Sequence, residues 1–126
     1  MRDYRIAVYP GDGIGPEVID QTLRVLEAVE ARCGTFRLRY VRLDWGYAHY
    51  ERHGAVVPPD FLDVLRPFDA ILLGAVGWPD KLPDHVTLAP LVKIRQTFAQ
   101  YACIRPVQLL PGVRGALAHR GPSDLD

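Results

Sequence analysis

Short apolar runs and helically spaced apolar residues alternate along the chain. Arg5–Pro10 (RIAVYP) is an apolar run closed by a glycine-rich turn, the pattern of a buried strand. Pro16 suits a first helical turn and Glu17 complements the helix dipole. Val18, Thr22, Val25, Leu26 and Val29 mark one face of a helix running to about Ala31, with Gly34 as its left-handed cap. Phe36–Leu43 sets Phe36, Leu38 and Tyr40 against Arg37 and Arg39, which predicts a half-solvated strand toward a sheet edge. Asp44–Gly54 is short, aromatic and helical, and Pro58–Pro67 reads as a helix through Phe61, Leu62 and Leu65.

Farther on, Asp69–Gly74 (DAILLG) is continuously apolar, which predicts a central parallel strand. Ala75–Pro90, with Gly77, Pro79 and Pro83, reads as a long loop, and such loops inside compact domains are usually functional. Leu91, Ile94 and Phe98 recur at helical spacing; Ala102–Leu110 reads as a strand in which Pro106 suits an edge or a bulge. Leu110–Gly121 is a Gly- and Pro-rich connector, and Pro122–Asp126 a polar loop. The alternation predicts an α/β fold, a layered and mostly parallel sheet flanked by helices, with no internal repeat.

Composition narrows the partners. The 126 residues carry 15 basic and 15 acidic side chains, so no charge excess points to nucleic acid or a membrane. No apolar run approaches the about 20 residues of a transmembrane helix, and MRDYRIAVYP is a strand running into a turn, not a signal peptide. At 48% apolar, the chain can build a core, and its length allows one domain at most, residues 1–126. Cys33 and Cys103 read as reduced thiols, and a cytoplasmic location is expected.

Arg95 and Arg105 stand ten residues apart in apolar surroundings. On one continuous helix they would point to different sides, whereas a helix that turns into a strand lets both face one cleft. Guanidinium is permanently charged and grips carboxylates through a planar fork, so the pair suggests a small dicarboxylate ligand. Two surface arginines in separate salt bridges are the alternative.

GDGIGPEV at Gly11–Val18, LLGAVGWP at Leu72–Pro79 and KIRQTFAQYACIRPV at Lys93–Val107 follow one another in this order. Together they resemble the N-terminal third of the β-decarboxylating hydroxyacid dehydrogenases, an isopropylmalate dehydrogenase-like family that includes isocitrate, 3-isopropylmalate, tartrate and D-malate dehydrogenases. GAVGWPDKLPDHVTL (Gly74–Leu88) looks most like the tartrate/D-malate branch. The resemblance implies an N-terminal fragment of an oxidoreductase that depends on NAD and on Mn2+ or Mg2+. It would oxidise the CH–OH group of a 2-hydroxy-dicarboxylate, with decarboxylation of some substrates. It assigns Arg95 and Arg105 to the substrate carboxylates, and Ile14, Thr87 and Leu88 to the cofactor side. It also implies that the tyrosine–lysine acid–base pair, the metal aspartates, a third arginine and the adenosine-binding segment lie beyond the region covered. No catalytic residue and no metal ligand is therefore assigned here, and the chain alone is expected to be inactive. Family members are homodimers. A non-catalytic remnant or associating module, a 3-isopropylmalate dehydrogenase-like protein, and an independent anion-binding domain are the other readings. An acidic residue is found near Leu88 in isopropylmalate dehydrogenases, and its absence here argues against an isopropyl-bearing substrate.

The remaining motifs are weaker. Glycines at 11, 13 and 15 miss the G-x-G-x-x-G spacing, and no Lys-Ser or Lys-Thr follows. The loop either presents N–H groups to an anion or merely turns the chain. Thr87 either caps the Arg95 helix or touches a ligand. His49 and His53 stand i,i+4, a metal-pair spacing with no third ligand, and read as solvated helix residues. His85 follows Asp84 with no serine nucleophile, and His119 lies in the connector. Trp45, Tyr47 and Tyr50 read as core and rim residues.

Overall fold

In the computed structural model, which describes residues 1–117 and 121, a three-stranded parallel sheet separates two helical layers. The expectations for His119 and for Pro122–Asp126 lie outside the described residues. β1 (Arg2–Gly11) leads into α1 (Gly15–Cys33), β2 (Phe36–Arg42), α2 (Tyr47–His53), α3 (Phe61–Leu65), β3 (Ala70–Ala75) and α4 (Asp84–Thr97). The sheet order is β2–β1–β3, with Ile6 opposite both Tyr40 and Ala70. The fold is the α/β layered architecture that the alternation predicts.

β1 is the axis of the molecule. Ala7, Val8 and Tyr9 are fully buried because strands flank it on both sides and helices cover both faces. On one face Ala7 and Tyr9 pack with Leu43, Trp45, Phe61, Leu65 and Ile94. Trp45 is the centre of this layer: its ring meets the edges of Tyr9 and Phe61 at centroid distances of 5.4 and 6.1 Å. On the other face lies α1, whose Gly15 and Ile19 are buried. Gly34 (φ 64°) ends α1 in the left-handed conformation, donating its N–H to the Glu30 carbonyl. β2 is the solvated edge its alternation predicts, and on it Arg39 pairs with Asp3 and Arg42 with Asp20, both at 2.7 Å.

Five expectations are corrected. β3 is an edge strand, not a central one: the apolar run reports helices on both faces, but being central requires a strand on each side, and none follows it among the described residues. Ala102–Leu110 forms no strand, since an extended segment becomes a strand only when a neighbour takes its N–H and C=O groups. Apolar side chains of the segment stand in solvent, Ile104 87% and Val107 60% exposed. On α1, Val18, Val25 and Val29 face outward, and the line turned to the sheet runs through Gly15, Ile19 and Leu26. Apolar residues on two sides leave the orientation to packing, and the side with the glycine can approach most closely. The loop after β3 is shorter than expected, because α4 begins at Asp84 and holds Pro90 within it. Thr87 therefore does not cap α4; Pro83 holds the cap position, and the buried Thr87 hydroxyl donates to the Asp84 carbonyl at 3.2 Å.

Candidate functional site

Ligands of open α/β sheets bind beyond the carboxyl ends of the strands. At that end of this sheet the three strand–helix junctions converge on Asp12, which is only 5% exposed. Its N–H donates to the Ala75 carbonyl at 2.6 Å, and its carbonyl accepts from the Gly15 N–H at 2.8 Å. Its Oδ1 accepts from the Tyr47 N–H at 2.5 Å and its Oδ2 from the Gly77 N–H at 3.0 Å. The carboxylate thus caps α2, whose own N-cap residue is Gly46. Gly46 (φ 115°) must be glycine, since a Cβ there would run into Oδ1. Asp12 also combines with burial to raise the Tyr9 hydroxyl pKa, burial being the larger cause, so Tyr9 stays neutral.

Ile14, at the N-cap position of α1 and 67% exposed, stands beside this junction. Across it, Trp78 meets Tyr47 edge-on at 5.5 Å, and the Lys81 ammonium lies over both rings at 5.7 and 5.9 Å. Thr87, 2% exposed, packs beneath Gly77 and offers a ligand no surface. Leu88 beside it is 43% exposed. Of the three cofactor-side candidates, Ile14 and Leu88 present apolar surface, and Thr87 supports the loop from below.

Leu88 and Arg95 differ by seven positions, two helical turns, so they share one face of α4 about 10 Å apart along its axis. Arg95, in the last turn, lines a cavity of about 410 Å³ between α4 and β3, with Tyr9, Ile71, Leu73, Leu91, Ile94 and Gln100 among its neighbours. Asp69 and Ala70 also line this cavity, so it extends to the start of β3. Ile14 belongs to the opposite end of the sheet.

Arg105 lies in the exposed segment after α4, where its Nε donates to the Cys103 Sγ at 3.4 Å. That hydrogen bond and then the Arg105 charge hold the exposed Cys103 thiol below its ordinary pKa; desolvation opposes them, and the charge of Arg95 contributes least. Neither Arg95 nor Arg105 is in a salt bridge among the described residues.

The other candidates remain apart. His49 and His53 stack at 4.5 Å, with His49 Nδ1 donating to the Ala55 carbonyl at 2.5 Å. Among the described residues no group of three or more His, Cys, Asp or Glu is placed to hold a metal ion, and no helix is long and apolar enough to cross a membrane. Sequence reasoning missed Asp12. The available signal was an acidic residue between two glycines, directly after a buried strand.

Comparison with known proteins agrees with this architecture. A "Probable tartrate dehydrogenase/decarboxylase" of Agrobacterium vitis is 53% identical over all of this chain and 35% of its own length. The "D-malate dehydrogenase [decarboxylating]" of Escherichia coli (strain K12) is 47% identical over the same shares. A solved structure of a Thermus thermophilus protein superposes with a TM-score of 0.69 at 34% identity, over 93% of this chain and 22% of that one. The chain thus spans about a third of the length of the curated relatives it matches. The "Isocitrate/isopropylmalate dehydrogenase" profile matches residues 5–122, nearly the whole chain, and the chain belongs to that family.

Proposed function

We propose that this chain forms the carboxylate-binding part, and one wall of the NAD cleft, of a tartrate/D-malate-type oxidative decarboxylase. The observations that support the reading are Arg95 lining the cavity between α4 and β3, and the 53% identity of the whole chain to a probable tartrate dehydrogenase/decarboxylase. A guanidinium at such a cavity offers a planar fork to one carboxylate, and Arg105 would supply a second fork for the other carboxylate of a 2-hydroxy-dicarboxylate. Exposed Ile14 and Leu88 offer apolar surface to a nicotinamide ring. NAD, when bound, supplies the hydride acceptor. The residues of this chain bind and orient: Arg95 and Arg105 neutralise the dicarboxylate, and the Asp12 junction shapes the wall opposite. The Mn2+ or Mg2+ of the family finds no donor set among the described residues, so its ligands would come from outside them.

A second reading, an associating module, draws on the unpaired edge of β3 and the solvated Tyr101 and Ile104, surfaces that suit a further part of the same fold. In both readings the chain alone makes no NADH from tartrate or D-malate with Mn2+ present.

The test replaces the matching third of the Agrobacterium vitis relative with this chain and compares Arg95→Lys with the parent. Lysine keeps the charge and loses the fork. At about 1.5–3 kcal/mol for each charge-assisted hydrogen bond, the dicarboxylate should bind roughly ten- to hundredfold more weakly. The NAD constant should change far less. An unchanged substrate constant would return both arginines to ordinary surface roles.

A further inference from the structure

We propose that Asp12 is the positioning residue of the cofactor wall, setting where the loop after β3 stands relative to the Gly11–Gly15 turn. The observation is the complete use of one buried residue. Its N–H, C=O, Oδ1 and Oδ2 each engage a backbone group, and these belong to three different strand–helix junctions. The two side-chain contacts reach residues 35 and 65 positions away, so no local turn could replace them. The donors are the N–H groups of Tyr47 and Gly77; Gly77 itself and Gly46, directly before Tyr47, hold φ 110° and 115°, conformations that other residues avoid.

The consequence runs outward. Oδ2 fixes Gly77, Gly77 rests on Thr87, and Thr87 is followed by the exposed Leu88. On the other side the Asp12 carbonyl holds Gly15, which directly follows exposed Ile14. One residue, through its carboxylate on one side and its backbone carbonyl on the other, therefore spaces the two apolar surfaces between which a nicotinamide would lie. That last step rests on the NAD reading above; the clamp itself does not.

Asparagine in place of Asp12 separates these roles. It keeps the shape and one acceptor, and turns an NH2 toward the second buried N–H, so one arm of the clamp is lost. Exchange is measured on the 126-residue chain. NAD+ binding, with NAD+ itself as the probe, is measured on the chimera whose remaining two thirds come from the Agrobacterium vitis relative. Amide hydrogen exchange is followed by NMR at Gly77, at Tyr47 and along the β1–β2 ladder, and NAD+ binding is followed by the methyl shifts of Ile14 and Leu88. Asp12→Asn is expected to speed exchange at Gly77 or Tyr47 at least tenfold while the β1–β2 ladder is unchanged. It should also raise the NAD+ dissociation constant at least fivefold at a temperature where both proteins are folded. A uniform rise in exchange, or a lower unfolding midpoint with an unchanged NAD+ constant, would overturn the proposal. If the parent chimera shows no NAD+-dependent shift at Ile14 or Leu88, the cofactor reading fails, and the exchange contrast alone decides the clamp.

Should Asp12→Asn not fold, Tyr47→Pro replaces it. Proline is tolerated at the first position of a helix; it removes the N–H that reaches Oδ1 and puts a ring carbon in its place, so this arm of the clamp cannot form. Tyr47→Ala controls for the lost ring. Faster Gly77 exchange in Tyr47→Pro than in Tyr47→Ala supports the clamp, and equal exchange overturns it.

Discussion

Replacing Gly74 by alanine should unfold this protein far more readily than replacing Gly34 by alanine. Gly74 lies in β3, where α1 crosses the sheet at its closest. A Cβ there would strike the Pro10 carbonyl oxygen of β1, and would stand 2.9 Å from the Gly15 carbonyl oxygen and 3.0 Å from Ile19 Cγ1. Two of these three neighbours are backbone atoms that cannot rotate away. Relief requires β3 to shift against β1 and α1 to lift from the sheet, which would loosen Ile19 in its buried seat. Overpacking a core typically costs about 1–3 kcal/mol, and the rigid surroundings place Gly74→Ala at about 3 kcal/mol or more.

Gly34 provides the contrast. Its φ of 64° strains any side chain, but no atom lies within 4 Å of the added Cβ. Its cost is conformational alone, about 1 kcal/mol. In urea both variants should keep the parent slope while their midpoints fall, Gly74→Ala at least twice as far. On heating, the difference should be about 8 °C or more, at roughly 4 °C per kcal/mol for a chain of this size. A Gly74→Ala midpoint equal to or above that of Gly34→Ala would refute the close approach of α1 to the sheet.

Two further outcomes concern charge. The Cys103 thiol, held below its ordinary pKa chiefly by Arg105, should be alkylated at lower pH than a free cysteine. Arg105→Ala should move the alkylation midpoint upward and Arg95→Ala should move it by less; the reverse order would refute the placement of Arg105 beside the sulfur. The Asp3 carboxyl is lowered from 3.8, first by its hydrogen bond from Arg39. A lowered folded pKa contributes stability above the unfolded value and loses it as pH falls through the folded one. Asp3→Asn should therefore lower the unfolding midpoint near neutral pH and leave it unchanged well below pH 3. An equal loss at both would mean that the pair is not the cause.

Much of this protein is legible along the chain because the information is local. RIAVYP is apolar at every position but its first and ends in glycines, so β1 and the turn after it follow from adjacent residues. Gly34 stops α1 through a property of one residue, and the spacing around Arg95 marks a helix whatever surrounds it. The motif sequence likewise carries the family, because GDGIGPEV and KIRQTFAQYACIRPV are read as strings. Only tertiary structure decides the rest. A run such as AILLG states that both faces are covered and says nothing about its edges, so β3 could be placed at the rim of the sheet only by pairing. Apolar character in Ala102–Leu110 suits a strand, yet strand formation depends on a partner, which no property of the segment itself supplies. Apolar residues on two sides of α1 leave its orientation to the site where Gly15 meets the sheet backbone. Asp12 is the sharpest case: its meaning lies in N–H groups at Tyr47 and Gly77, which are brought to it when three parallel strands end side by side.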